Sequence, residues 1–139
     1  NSSLALFKDN GVRGFSKVLI AIRPGRRNKR FIDVADKICS HFGASLTLLN
    51  IVGESDNNQK VKRTEKSSSE LISETKSKSV VKIIRSNNPV EAISEESASY
   101  DLLILGTPEK DNWIRVLFGA GEDRFVKKAA CSVLRLTIK

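Results

Sequence analysis

Gly106 and Gly119 are the residues best placed to do chemistry, because of what surrounds them. An apolar run, Leu102 to Leu105, stops at Gly106. A polar loop containing Thr107 and Glu109 follows, and Gly119 then precedes Ala120 and a helical pattern running to Lys128. A strand feeding a loop and then a helix N-terminus presents backbone amides that can hold an anion. Further phosphate-seeking groups follow the first apolar run, where Arg23, Arg26, Arg27, Lys29 and Arg30 crowd the stretch just before the first helical pattern. Guanidinium groups grip phosphate and carboxylate through paired hydrogen bonds. The cluster has two readings: a contact for a phosphate-bearing ligand or acidic partner, or a solvated loop that keeps the domain soluble. No aromatic side chain interleaves with it, which argues against a single-stranded nucleic-acid track. Nucleic acid is not expected as a partner.

Catalysis has no residues to run on. The sequence holds no Ser/His/Asp or Cys/His set, no metal-ligand cluster and no GxxxxGK[ST] phosphate loop. We expect no catalytic residue, no bound metal and no enzymatic activity. Asp33 with Asp36, and Glu95 with Glu96, fall on helical surfaces and read as solvated faces. His41 falls at the end of the first helical pattern, where a cation complements the helix dipole. Cys39 and Cys131 lie far apart within apolar patterns and read as small buried hydrophobes in a reducing cytoplasm.

The elements that must position these groups alternate. Lys17 to Ile22 is a continuous aliphatic run, as buried parallel strands read, and Arg23-Pro24-Gly25 breaks it. Phe31, Val34, Ala35, Ile38 and Phe42 then recur at helical steps, closed by Gly43. Further strands are predicted at Ser45 to Val52, Val80 to Ile84, Leu102 to Leu105 and Ser132 to Ile138. Asn88-Pro89 starts a helix running to Glu96, with Asn at the cap and Pro in the first turn. Residues 53–78 are rich in Ser, Lys, Glu and Asn; we expect a variable segment, mobile to about Gln59, then a weakly amphipathic helix ending near Lys76. Residues 1–15 read as an N-terminal linker and 16–139 as one domain. The alternation calls for an α/β fold: a three-layer, doubly wound parallel sheet with helices on both faces. In such a sheet ligands sit beyond the carboxyl ends of the strands, which gathers Ile22 to Arg27, Val52 to Glu54 and Gly106 to Ala120 around one crevice.

The spacing of Gly106 and Gly119, with Ala129-Ala130-Cys131-Ser132-Val133-Leu134 after it, resembles the C-terminal signature of the universal stress protein family. The family pattern is Gly, two residues, Gly, nine residues, Gly, then Ser or Thr, and it holds the phosphates of ATP. The resemblance covers about Lys17 to Ile138 and implies a five-stranded sheet in the order 3-2-1-4-5. It also implies a nucleotide site at Ile22, Arg23, Pro24, Val52, Gly106, Thr107, Glu109, Gly119 and Ala120, and a homodimer paired through the last strand at Val133, Leu134 and Leu136.

Three positions depart from the family pattern. Arg23 stands where ATP-binding relatives carry an Asp, Glu109 replaces the second glycine, and Ala120 replaces the closing hydroxyl. Glu109 adds a negative charge beside a polyanion; two like charges ~4 Å apart cost about 1 kcal/mol even in bulk water. Losing the hydroxyl removes a hydrogen bond of about 1 kcal/mol. Arg23 either offsets this by binding a phosphate or pairs with Glu109. We therefore expect no conventional ATP cofactor.

A net charge of +8 suits an anionic surface or an acidic partner. The wording Trp113-x-Arg-x-Leu-Phe-Gly looks like stress-protein domains fused to transporters, and Trp113 itself could meet a partner or pack a loop. The chain starts at Asn1 and holds no methionine, so it reads as part of a longer protein. Two functions compete. One is a non-catalytic regulatory or assembly module, the cytoplasmic part of an amino-acid permease, cation–chloride cotransporter or antiporter, held near the inner membrane face by a transmembrane portion of the same chain. The other is a sensor of ATP, AMP or a cyclic dinucleotide.

Overall fold

The computed structural model describes residues 3–8, 16–21, 28–107 and 132–138. Strands β1 (Ser3–Lys8), β2 (Lys17–Ala21), β3 (Ser45–Val52), β4 (Ser79–Arg85), β5 (Leu102–Thr107) and β6 (Ser132–Ile138) form one sheet, in the order β1-β6-β5-β2-β3-β4. Helices α1 (Asn28–Phe42), α2 (Asn58–Ile72) and α3 (Pro89–Ser97) accompany it. Four of the predicted strands stand in the expected order 3-2-1-4, as β4, β3, β2 and β5. Among the described residues the sheet holds six strands rather than five. The addition is β1, which pairs antiparallel with β6 and falls inside the stretch read as a linker.

The apolar runs explain the layers. Successive side chains of a strand point to opposite faces. Val18, Ile20, Leu46, Leu48, Leu102 and Ile104 therefore pack on Phe31, Ile32, Ala35 and Cys39 of α1, with Leu71 and Ile72 of α2 against them. Leu19, Ala21, Leu49, Leu103 and Leu105 face the other way, onto Ile93 and Val90 of α3. Helices thus cover both faces. Central strands β2 and β5 are buried on both sides, whereas edge strand β4 alternates and leaves Val80 54% exposed.

α1 ends where predicted, at Gly43, whose φ of +66° suits a residue without a Cβ. Its buried stripe stops at Cys39; Phe42, read as part of the stripe, is exposed and stands edge-on to the ring of His41. α2 starts before the expected Gln59 and stops before Lys76. The Asn57 side chain accepts from Lys60 N (2.8 Å) and opens the helix at Asn58; Ser73 caps its end. Mid-helix, its contact with the sheet is polar: Asn50 Nδ2 donates to Ser68 Oγ at 2.6 Å, both residues buried.

Two acidic residues read as solvated do structural work. Asp36 accepts the amides of Lys76 (3.0 Å) and Ser77 (2.9 Å), fastening α1 to the turn before β4. Glu96 holds Lys82 of β4. Both groups stand beside a chain reversal or an edge strand, which helical periodicity alone does not reveal.

Candidate functional site

The sheet order reverses between β2 and β5. From β2 the chain builds outward through β3 to β4, then returns to the other side of β2. At such a switch an open α/β sheet receives its ligands, beyond the carboxyl ends of the strands. Ala21 stands level with Leu105, and β5 continues through Gly106 and Thr107, which lie beside Leu136 and Thr137 of β6. Val52 ends β3 level with Arg85. The structure therefore brings Gly106, Thr107 and Val52 to one end of the sheet. Ile22, Arg23, Pro24, Arg26, Arg27, Glu109, Trp113, Gly119 and Ala120 lie outside the described residues.

Of the basic cluster, Lys29 and Arg30 sit in the first turn of α1. Lys29 Nζ pairs with Glu74 at 2.8 Å, a partner the sequence pattern did not indicate. The Glu74 hydrogen bond pushes the ammonium upward, and Lys29 in turn holds the Glu74 carboxyl down. Both side chains are well exposed, so the pair orients the α1 start more than it stabilises it.

Around Val52 the turn into α2 is closed by its own groups. Gly53 N donates to Asp56 Oδ2 (2.8 Å), and Glu54 N donates to Asn87 Oδ1 (3.1 Å). Arg85 Nη1 donates to the Asp56 carbonyl (2.7 Å) and Nη2 to Asn58 Oδ1 (3.2 Å). A Cβ at Gly53 would stand 3.2 Å from Asp56 Oδ1, so a side chain there would crowd the turn. The Gly53 amide is the main influence holding the Asp56 carboxyl below its usual range. The amides next to Val52 are thus already engaged within the chain. Sequence reasoning missed this network; the Asp56-Asn57 pair ahead of a helix, and Asn87-Asn88 ahead of Pro89, were its visible signals.

A cleft of about 370 Å³ lies elsewhere, between β4 and α3, lined by Ile84, Arg85, Ser86, Glu91, Glu95 and Glu96 among others. It is two strands away from the switch point, and it is acidic where the predicted anion site is basic. The topology, rather than that cleft, marks the candidate site. Among the described residues no group of His, Cys, Asp and Glu could hold a metal ion. Cys39 is a free, buried thiol whose pKa burial raises to about 11, which makes it unreactive.

The model of the universal stress protein family matches residues 14–136. The chain belongs to the universal stress protein family. A universal stress protein from Archaeoglobus fulgidus superposes with a TM-score of 0.66 at 13% identity, covering 88% of this chain and 94% of that one. The Archaeoglobus fulgidus universal stress protein in complex with dAMP gives 0.64 at 13% identity, with 87% and 97% covered. A universal stress protein in complex with cAMP gives 0.62 at 17% identity, with 88% and 96% covered. No curated protein matches the chain. At these identities the solved structures establish the fold of this family member. Its β1 precedes the matched segment. That strand lies on the edge of β6 that dimer pairing through Val133, Leu134 and Leu136 would use, with Lys8, Phe7 and Ala5 opposite those residues.

Proposed function

We propose that this universal stress protein domain is a non-catalytic regulatory and assembly module that does not hold ATP in the conventional way. One observation carries the reading: Arg23, Glu109 and Ala120 stand in the sequence where the family pattern has the acid, the glycine and the hydroxyl. The engaged amides of Gly53 and Glu54 support it, since they leave fewer donors for a ligand near Val52. In this reading the charge of Arg23 offsets that of Glu109 instead of binding a phosphate. The net charge of +8 and the Trp113 loop support a place on the cytoplasmic side of a transporter, such as an amino-acid permease, a cation–chloride cotransporter or an antiporter. There the basic surface would lie close to anionic lipid.

The second reading is nucleotide sensing, favoured by the dAMP and cAMP complexes of the structural neighbours. Arg23 and the Gly106–Gly119 loop would then serve a different phosphate pattern, such as AMP or a cyclic dinucleotide. Calorimetric titration with ATP, AMP and cyclic di-AMP at near-physiological salt separates the two. The first reading expects no saturable heat up to millimolar ligand. Saturable binding abolished by Arg23→Ala or Gly119→Val would replace it with the second.

A further inference from the structure

β1 lies wholly outside the segment 14–136 that matches the family model, yet it is paired along its length. Its six residues run antiparallel to β6, from Ser3 opposite Ile138 to Lys8 opposite Val133. Without β1 the sheet would end at β6. Alternate amides and carbonyls along Ser132–Ile138 would then face outward with no ladder partner.

The two edges of the remaining sheet are protected in different ways. Edge strand β4 carries Lys82 and Arg85, engaged with Glu96 and with the turn at Asp56–Asn58. Charged residues on an edge oppose the addition of another strand. β6 carries one charged residue, Arg135, and no proline. Its defence is the strand laid against it. Reaching that position asks little of the chain. Three strand spacings separate β1 from β2, ~14 Å in all, and residues 9–16 extend to ~30 Å.

We infer that β1 is a cap acting in cis: it closes the β6 edge, holds the chain as a monomer, and on release lets β6 pair with β6 of a second copy. A bare edge recruits further strands, and two identical edges meeting antiparallel give a closed two-fold dimer. The inference deepens the assembly reading: the family resemblance already gives the β6 edge to a second copy, and the cap is the strand that keeps it from that edge. Its test needs neither nucleotide nor membrane.

Sedimentation velocity of the 139-residue chain and its variants decides it. The parent chain is expected as a monomer, and the chain lacking residues 1–8 as a dimer. Ala5→Pro and Leu6→Pro form a second pair of probes. Neighbouring amides in a strand point to opposite edges, so one of the two prolines removes a rung from the β6 ladder and shifts the mass towards two chains. A lock comes from Ala5→Cys with Leu136→Cys, a paired position, in a Cys131→Ala background; oxidation should give a monomer with an intrachain bond.

A parent chain that is already a dimer, and stays one when locked, overturns the cap and leaves the assembly reading standing. A truncated chain that circular dichroism shows folded but that sediments as a monomer overturns pairing through β6. Should truncation unfold the chain, the proline variants decide, and a mass equal to the parent's in both overturns the inference. A covalent dimer from the lock overturns action in cis in favour of β1 exchange between copies.

Discussion

At the scale of single residues, the most consequential polar contact in the core joins Asn50 to Ser68. Its 2.6 Å hydrogen bond lies under α2, with Asn50 at 5% and Ser68 at 3% exposure. A buried amide without a partner costs about 1–3 kcal/mol, whereas removing both partners costs far less. Ser68→Ala is therefore expected to destabilise the chain by about 2 kcal/mol. Adding Asn50→Leu should recover most of that loss, because the stranded amide goes with it. Urea unfolding of the two single variants and the double variant measures the coupling. A double variant no more stable than Ser68→Ala would show that the Asn50 amide finds another partner. The serine alone, once Asn50 is gone, can turn its hydroxyl to a carbonyl of its own helix.

At the scale of elements, α2 depends on its ends because its middle buries so little. Leu71 and Ile72 are the apolar residues of α2 packed on the main core, both in its last turn. Its start rests on the Asn57 cap and the turn that Asp56 and Arg85 close. Replacing a capping Asn with Ala costs about 1 kcal/mol. Asn57→Ala should lower stability by that amount and raise amide hydrogen exchange mainly in the first turns of α2. Exchange rising evenly over the sheet instead would show that the cap serves the whole fold. The same contrast governs what the sequence revealed. β2, β3, β5 and α3 were legible because their signals are local: continuous aliphatic runs, and Asn88-Pro89 at a helix start. β1 was not, since Ser-Leu-Ala-Leu-Phe-Lys becomes a strand only where the distant β6 offers an edge. Asp36 and Glu96 were misread for a similar reason, their partners lying in other elements. At the candidate site, Gly106 lies at the strand ends where the sheet order reverses, while Gly119 lies outside the described residues. The engaged amides beside Val52 depend on a turn whose partners, Asn87 and Asp56, no family pattern marks.

At the scale of the whole molecule, the carboxylates of Asp101 and Asp36 clasp distant segments, that of Asp56 closes the turn into α2, and all three titrate low. Asp101 accepts Ser16 N (2.9 Å), Ser16 Oγ (2.8 Å) and Lys17 N (3.0 Å), joining the start of β2 to the start of β5. The Ser16 amide and then its hydroxyl are the main influences that lower this carboxyl. Burial pushes Asp36 up, but hydrogen bonds from Ser77 and from the Lys76 and Ser77 amides outweigh it. Asp56 is lowered chiefly by the Gly53 amide. A carboxylate whose folded pKa lies below its unfolded value of about 3.9 contributes stability above that value and loses it as pH falls through the folded pKa. Stability should therefore hold near neutral pH and fall steeply below about pH 4. The net charge of +8 grows more positive over the same range, and repulsion adds to the loss. Urea midpoints followed from neutral to acid pH, in low and high salt, separate the two effects. Salt screens the general repulsion and leaves the clasps. Asp101→Asn and Asp36→Asn should each start less stable at neutral pH and lose less on acidification than the parent chain. Identical acid slopes in parent and variants, abolished by salt, would assign the acid sensitivity to net charge and remove the clasps from the account.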